Sequence, residues 1–350
     1  MISIMQRMTN KLGIFKPSVI TVGILFCLLM MPIACANSKS DELVIYSSRT
    51  SSLVQPLLEQ YATETGQNVQ VRYATTASII ATILEEGDKS KVDLVYLAEP
   101  SGWALLSEEG LLGKLPNATL NQVADHFRSS KGEWVGTSGR SKVVVYNTET
   151  IDPAKDLPKS ILDFTDSKWK GRIGWAPTHG EWQISLMAIR LLEGDKVARE
   201  WLEGIKANDP KTYPNLISIV NGAHKGEIDV GFVNHYYVPR FIAKSGGDWD
   251  SRNHFLGGGD PGAVIDVAGV GIMKSSDSSD AAQDFVDFML GEQAQRFFAE
   301  KTYEYPVSAG VEPVGDLPPL DSLDPPNIDP ADLSELESTI KMLRDAGVIP

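Results

Sequence analysis

Short apolar strand patterns alternate with amphipathic helix patterns along most of this chain, and that rhythm confines it to an α/β architecture. Leu43-Val44-Ile45-Tyr46 reads as a strand, and Leu53, Val54, Leu57, Leu58 and Tyr61 then mark one face of a helix that Gly66 ends. Strands at Val69–Val71 and Val92–Leu97 alternate with helices at Ser78–Glu86 and Trp103–Gly110. A second set opens at Val143–Tyr146, with strands at Arg172–Trp175 and Ile228–Val233 and helices at Glu181–Leu192 and Lys196–Ala207. Val264–Met273 is long and apolar enough to cross back into the first set, and helices follow at Ala281–Leu290 and Glu292–Glu300. Val311–Pro330 is rich in Pro and Asp and reads as an extended connector. A last helix is expected from the Asp329 cap and Pro330, with Leu333, Leu336, Ile340 and Leu343 as its stripe. The expected fold is bilobal: two parallel-rich sheets flanked by helices, with two strands near Val143 and Val264 as the hinge.

In such folds ligands sit beyond the C-terminal ends of strands. The strand Ile228–Val233 runs directly into Asn234-His235-Tyr236-Tyr237. Val238, Phe241 and Ile242 form the stripe of the next helix, which puts Tyr236 roughly opposite the stripe and Tyr237 at its edge. A phenolate is a hard oxygen donor, suited to a hard trivalent cation. On the residues alone, an aromatic pair packed at a domain seam competes with that reading. Thr178-His179-Gly180 joins a strand to a helix, and helix N-terminal amides favour an anion. Arg49 closes the first-strand motif, where a guanidinium can grip an anion; a salt bridge is the competing reading.

The N-terminus carries Arg7, Lys11 and Lys16, no acid, an apolar run Val19–Met31, and Ala34-Cys35-Ala36. These are the parts of an export signal over 1–36. Cleavage has two readings, ordinary secretion or lipidation of Cys35. Cys27 and Cys35 are the only cysteines, so the mature chain is expected to have no disulfide, thiol catalysis or Cys-ligated metal. Losing the three leader cations takes the net charge from −14 to about −17, which disfavours nucleic acid and anionic membranes as partners. A monomer is expected, outside the cytoplasmic membrane, touching it only through an anchor at Cys35.

The chain resembles the ferric-iron-binding proteins of bacterial ABC transporters. The resemblance rests on Val44–Arg49, Gly139–Asn147, Trp169–Thr178, Gly226–Asp229, Asn234–Tyr237 and Glu304–Pro306, in the same order along the chain. It implies that Tyr236 and Tyr237 hold Fe³⁺ as cargo, and that Tyr146, in the Val-Val-Tyr-Asn segment, is a third ligand. It implies a synergistic anion such as carbonate, held by His179, Gly180, Asn215 and Asn234. It also implies delivery to an ABC permease with its ATPase. Thr50 and Ser51 stand where some members have a histidine ligand, and Ala98 stands where others have a carboxylate, with Glu99 one position away. Contributions from Glu99 and Tyr46 stay open. His235 is expected to turn away from the metal, and Arg140 to pack near the hinge. The expected lobes are 41–141 with 265–312, and 142–264 with 313–350.

Two other classes compete. One keeps the fold and binds a small organic or inorganic anion, with the tyrosines merely stacking. The other is an exported enzyme, against which stands the lack of a G-x-S-x-G, a metalloprotease helix or a placed carboxylate pair. A ligand sensor that presents its loaded state to a receptor is indistinguishable from a carrier at this level.

Overall fold

The computed structural model describes residues 42–328, 332 and 336–350. The leader, Cys35 and the expected helix start at Asp329, Pro330 and Leu333 lie outside the described residues. The first half is built from β1 (Leu43–Ser47), α1 (Ser51–Thr65), β2 (Val69–Tyr73), α2 (Thr76–Glu86), β3 (Leu94–Leu97), α3 (Ser101–Glu108) and α4 (Asn117–Leu120). Then β4 (Val135–Asn147) runs 13 residues, all buried. The second half comes next, with β5 (Ile173–Trp175), α5 (Gly180–Ala207), β6 (Lys211–Thr212), α6 (Leu216–His224), β7 (Val230–Asn234), α7 (Tyr237–Ser245) and β8 (Ser251–His254). The chain returns through β9 (Ile265–Ile272) to α8 (Ser279–Leu290), α9 (Glu292–Phe297) and β10 (Tyr305–Pro306), and ends in α10 (Leu336–Asp345).

The strands form one path, β2-β1-β3-β9-β4-β7-β5-β6, with β8 and β10 also on β4. Pairing is parallel within β2-β1-β3 and within β7-β5-β6, and antiparallel wherever β4 or β9 takes part. The two expected sheets are therefore joined through β4. Its first half pairs with β9 from Val135 to Ser141, and its second half pairs with β7 from Lys142 to Tyr146. Each half carries its own core. One packs Leu43, Leu57, Val95, Trp103, Phe285 and Phe298; the other packs Val144, Phe164, Trp169, Trp182, Trp201 and Ile219.

Local chemistry explains several details. The expected pair of helices at Glu181 and Lys196 is one run broken at Gly194, whose φ of 87° only glycine adopts cheaply. Gly174 lies opposite Gly231 on neighbouring strands, and a Cβ on either would reach 2.3 Å from Ile228 or Ile219; the bare pair lets α6 press onto the sheet. The strands absent from the sequence reading are β6, β8 and β10, which are two to four residues long and, in the Ser-Arg-Asn-His of β8, polar. The connector after Val311 does not belong wholly to the second half. Leu320 packs on the first core, while Ile328 packs on Ile184, Met187 and Ala188 of α5.

Candidate metal and anion site

Because β5, β6 and β7 run parallel, the loops leaving their C-terminal ends share one rim. Those loops carry Thr178–Gly180, Asn215 and His235–Tyr237. At α5 the N-cap is His179, with no side-chain cap bond, and Thr178 and Gly180 are exposed. The Trp182 amide donates back to the His179 carbonyl at 3.0 Å, and the amides before it at such a helix start have no intrahelical acceptor. Asn215 Oδ1 is already engaged, accepting from the Ser218 amide at 2.9 Å and the Ser218 hydroxyl at 3.0 Å to cap α6.

Tyr236 and Tyr237 are held together at the end of β7. The Tyr236 hydroxyl donates to that of Tyr237 at 3.1 Å, and the ring centroids lie 4.4 Å apart. Tyr237 leans on the second core, whereas Tyr236, although buried, is no part of either core. His235 fixes the turn. Its Nδ1 accepts from the Ser141 amide at 3.0 Å, its Nε2–H donates to the Tyr303 carbonyl at 2.9 Å, and Asn253 Nδ2 donates to its carbonyl at 2.7 Å. The imidazole is thus turned toward β4 and Tyr303, and burial lowers its pKa to about 4, which keeps it neutral. Both phenols are pushed above the ordinary tyrosine value, Tyr236 by burial and the charge of Glu181, Tyr237 by burial and its neighbour Tyr236. Each carries its proton at neutral pH in the free protein.

Beside the tyrosines lies a buried charge cluster centred on β4. Arg140 Nη1 donates to Glu181 Oε1 at 2.9 Å, and Nη2 donates to Asp266 Oδ2 at 2.8 Å and to the Ala98 carbonyl. Lys142 Nζ donates to Glu181 Oε2 at 2.6 Å and to Asn234 Oδ1 at 2.7 Å; Asn234 Nδ2 donates back to Glu181 Oε2 at 3.0 Å. Burial opposes ionisation of Glu181, but Arg140 and Lys142 outweigh it and hold this carboxyl well below its usual range. Burial pushes Asp266 up to about 6. Glu99 approaches from the first half, its pKa raised by burial and by Glu181.

The structure gathers Tyr236, Tyr237, Asn234, Thr178–Gly180 and Asn215 on one rim. It does not gather three other residues singled out from the sequence. Tyr146 pairs with Val230, at the opposite end of β7 from Asn234. Four residues of strand put it about 14 Å from that end, so Tyr146 is not brought to the phenol pair. Arg49 belongs to a different ion pair: its Nη2 meets both Glu304 oxygens, at 2.8 and 2.7 Å, with side chains only 3% and 1% exposed. The competing salt-bridge reading is the one realised, buried rather than at the surface. Tyr46 donates to Glu86 at 3.1 Å. Arg140 lies on β4, between Asp266 of β9 and Glu181 of α5.

Glu181 is the residue that sequence reasoning missed. Thr178-x-x-Glu181 has the spacing of a capping box, a signal that marks the helix start and hides what the carboxylate does. In the structure it turns from the helix toward Arg140, Lys142 and Asn234. Among the described residues no three His, Cys, Asp or Glu side chains are grouped to hold a metal, so a cation on this rim needs the phenol oxygens.

Comparison with known proteins agrees with this architecture. Residues 57–320 match the family described as bacterial extracellular solute-binding protein. The chain is 32% identical to the major ferric iron-binding protein of Neisseria meningitidis over 329 residues, covering 93% of this chain and 99% of that one. It is 29% identical to the Fe(3+)-binding periplasmic protein of Serratia marcescens, covering 94% and 97%. The iron-bound structure of HitA from Pseudomonas aeruginosa superposes with a TM-score of 0.80 at 34% identity, covering 87% of this chain and 99% of that one.

Proposed function

Because this chain belongs to the bacterial extracellular solute-binding proteins, we propose that it is the ferric-iron carrier of an ABC transporter. Fe³⁺ is captured between the lobes by the phenolate oxygens of Tyr236 and Tyr237, beside a negatively charged group at the α5 N-terminus and Asn234, and is handed to the permease. The observation that carries this reading is the phenol pair itself: two hydroxyls 3.1 Å apart at a strand end, with the Tyr236 ring outside both cores, next to the positive groups Arg140 and Lys142. Stacking alone would not require the hydroxyls to converge. The relatives named for ferric iron, and the iron-bound HitA structure, support the same cargo.

The lobes on this reading are 41–141 with 265–312, and 142–264 with most of 313–350, closing over the metal by bending β4 and β9. Glu99 faces the site from the first lobe and is the carboxylate that closure adds. Export through the 1–36 leader, free or anchored at Cys35, puts the carrier on the outer side of the cytoplasmic membrane, where the permease is met.

The test is a visible-absorption titration of residues 37–350 with a ferric salt, alongside Tyr236→Phe and Tyr237→Phe. A saturable phenolate-to-iron charge-transfer band, lost or strongly shifted in each variant, is the expected result. A colourless wild type at saturating iron overturns the ferric reading and leaves the small-anion carrier, to be screened on the same rim.

A further inference from the structure

The anion half of the site is already occupied by the chain itself. Three features make that more than a crowded helix start. The Glu181 carboxylate receives Arg140, Lys142 and Asn234, at 2.9, 2.6 and 3.0 Å. These are cations and an amide that a free anion would need. It also sits in the first turn of α5, on the rim where the free amides point. Finally, its two oxygens are unequally engaged: Oε2 takes Lys142 and Asn234, whereas Oε1 takes Arg140 alone of the three, so Oε1 is the oxygen less committed to these donors.

We propose that Glu181 is the built-in anion of this site, so that the protein closes on Fe³⁺ without recruiting carbonate or phosphate from solution. This rests on the ferric reading above. Asn234 and the α5 N-terminus then position a side chain, and the first-turn amides stay with water. No bond is made or broken beyond metal coordination and the loss of the two phenol protons to solvent.

The experiment loads the mature protein with ferric salt, once in phosphate and once in bicarbonate buffer. After desalting, the phosphorus-to-iron ratio and the position of the charge-transfer band are measured for wild type, Glu181→Ala and Glu181→Gln. Wild type is expected to carry close to no phosphorus per iron and to show the same band in both buffers. Glu181→Ala, with the cations exposed, is expected to take up about one phosphate per iron and to show a band that moves with the anion. Glu181→Gln fills the same space without charge; it is expected to bind iron at least tenfold more weakly, with no rescue by either anion. One phosphate per iron in wild type, or a wild-type band that moves with the buffer, overturns the proposal, and that result stands whether or not a variant folds. Absence of any band in wild type in both buffers would instead overturn the ferric reading beneath it.

Discussion

Two buried arginines, Arg49 and Arg140, look alike in sequence and differ in where their partners sit. Arg49 meets Glu304 inside the first half, and Glu304 takes one more bond from Ser138 at 2.8 Å. That unit keeps to one half: one cation, one carboxylate, a hydroxyl, and the ring of Tyr96 below the guanidinium at 5.7 Å. Arg140 instead shares Glu181 and Asp266 with Lys142, and touches both halves of the molecule through Ala98 and α5. A buried arginine beside a cleft therefore says little about ligands by itself. Both carboxylates accept three hydrogen bonds, so the informative quantity is where the partner sits. Glu304 lies within the first half, whereas Glu181 opens α5 beside Asn234 at the end of β7.

The strongest challenge to this contrast is to remove the Arg49–Glu304 pair. Glu304→Ala strands a buried guanidinium and is expected to destabilise the fold by about 3–5 kcal/mol, while the folded fraction keeps its iron affinity. Denaturant melts with a parallel iron titration check both halves; a large loss of affinity in the folded fraction would erase the distinction between the two clusters.

Acidification is the next largest effect. Both phenols lie above the ordinary tyrosine value in the free protein, so iron must displace two protons. Lower pH therefore favours the empty form. The apparent affinity is expected to fall about 100-fold, or about 2.7 kcal/mol, per pH unit from neutral to mildly acid conditions. A slope of one proton in a competition titration against a chelator of known protonation would mean that only one tyrosine binds.

Smaller changes refine the map of the rim. Asn215→Ala removes the α6 cap and is expected to cost about 1 kcal/mol of stability; a melt reads this directly, and iron affinity within about twofold of wild type would show that capping is its whole task. Tyr146→Phe is expected to leave the charge-transfer band unmoved, since its ring lies at the far end of β7; a shifted band would restore Tyr146 as a ligand.

Much of this architecture is legible in the chain. Periodicity finds α1, α2 and α5, including the break that Gly194 imposes, and the strand-then-tyrosines order locates the rim. What is not legible is long-range. Arg140 lies 41 residues from Glu181 and 126 from Asp266, in contact pairs that no local pattern encodes. Asp266 reads as an interruption in an apolar strand until β4 supplies its cations. Tyr146 is misplaced by sequence for a related reason: a matching motif fixes a residue's strand, while its distance from a ligand depends on strand direction, and β4 is antiparallel to β7.

Sharing β4 also governs how the molecule comes apart. Two hydrophobic cores would ordinarily permit two melting steps. Here one continuous 13-residue strand gives its first half to β9 and its second half to β7, so disordering either half frays the strand that the other is built on and exposes Arg140 and Lys142 without their carboxylates. Heat should therefore undo both halves in one cooperative transition, and amides along β4 should be among the last in the protein to exchange with solvent.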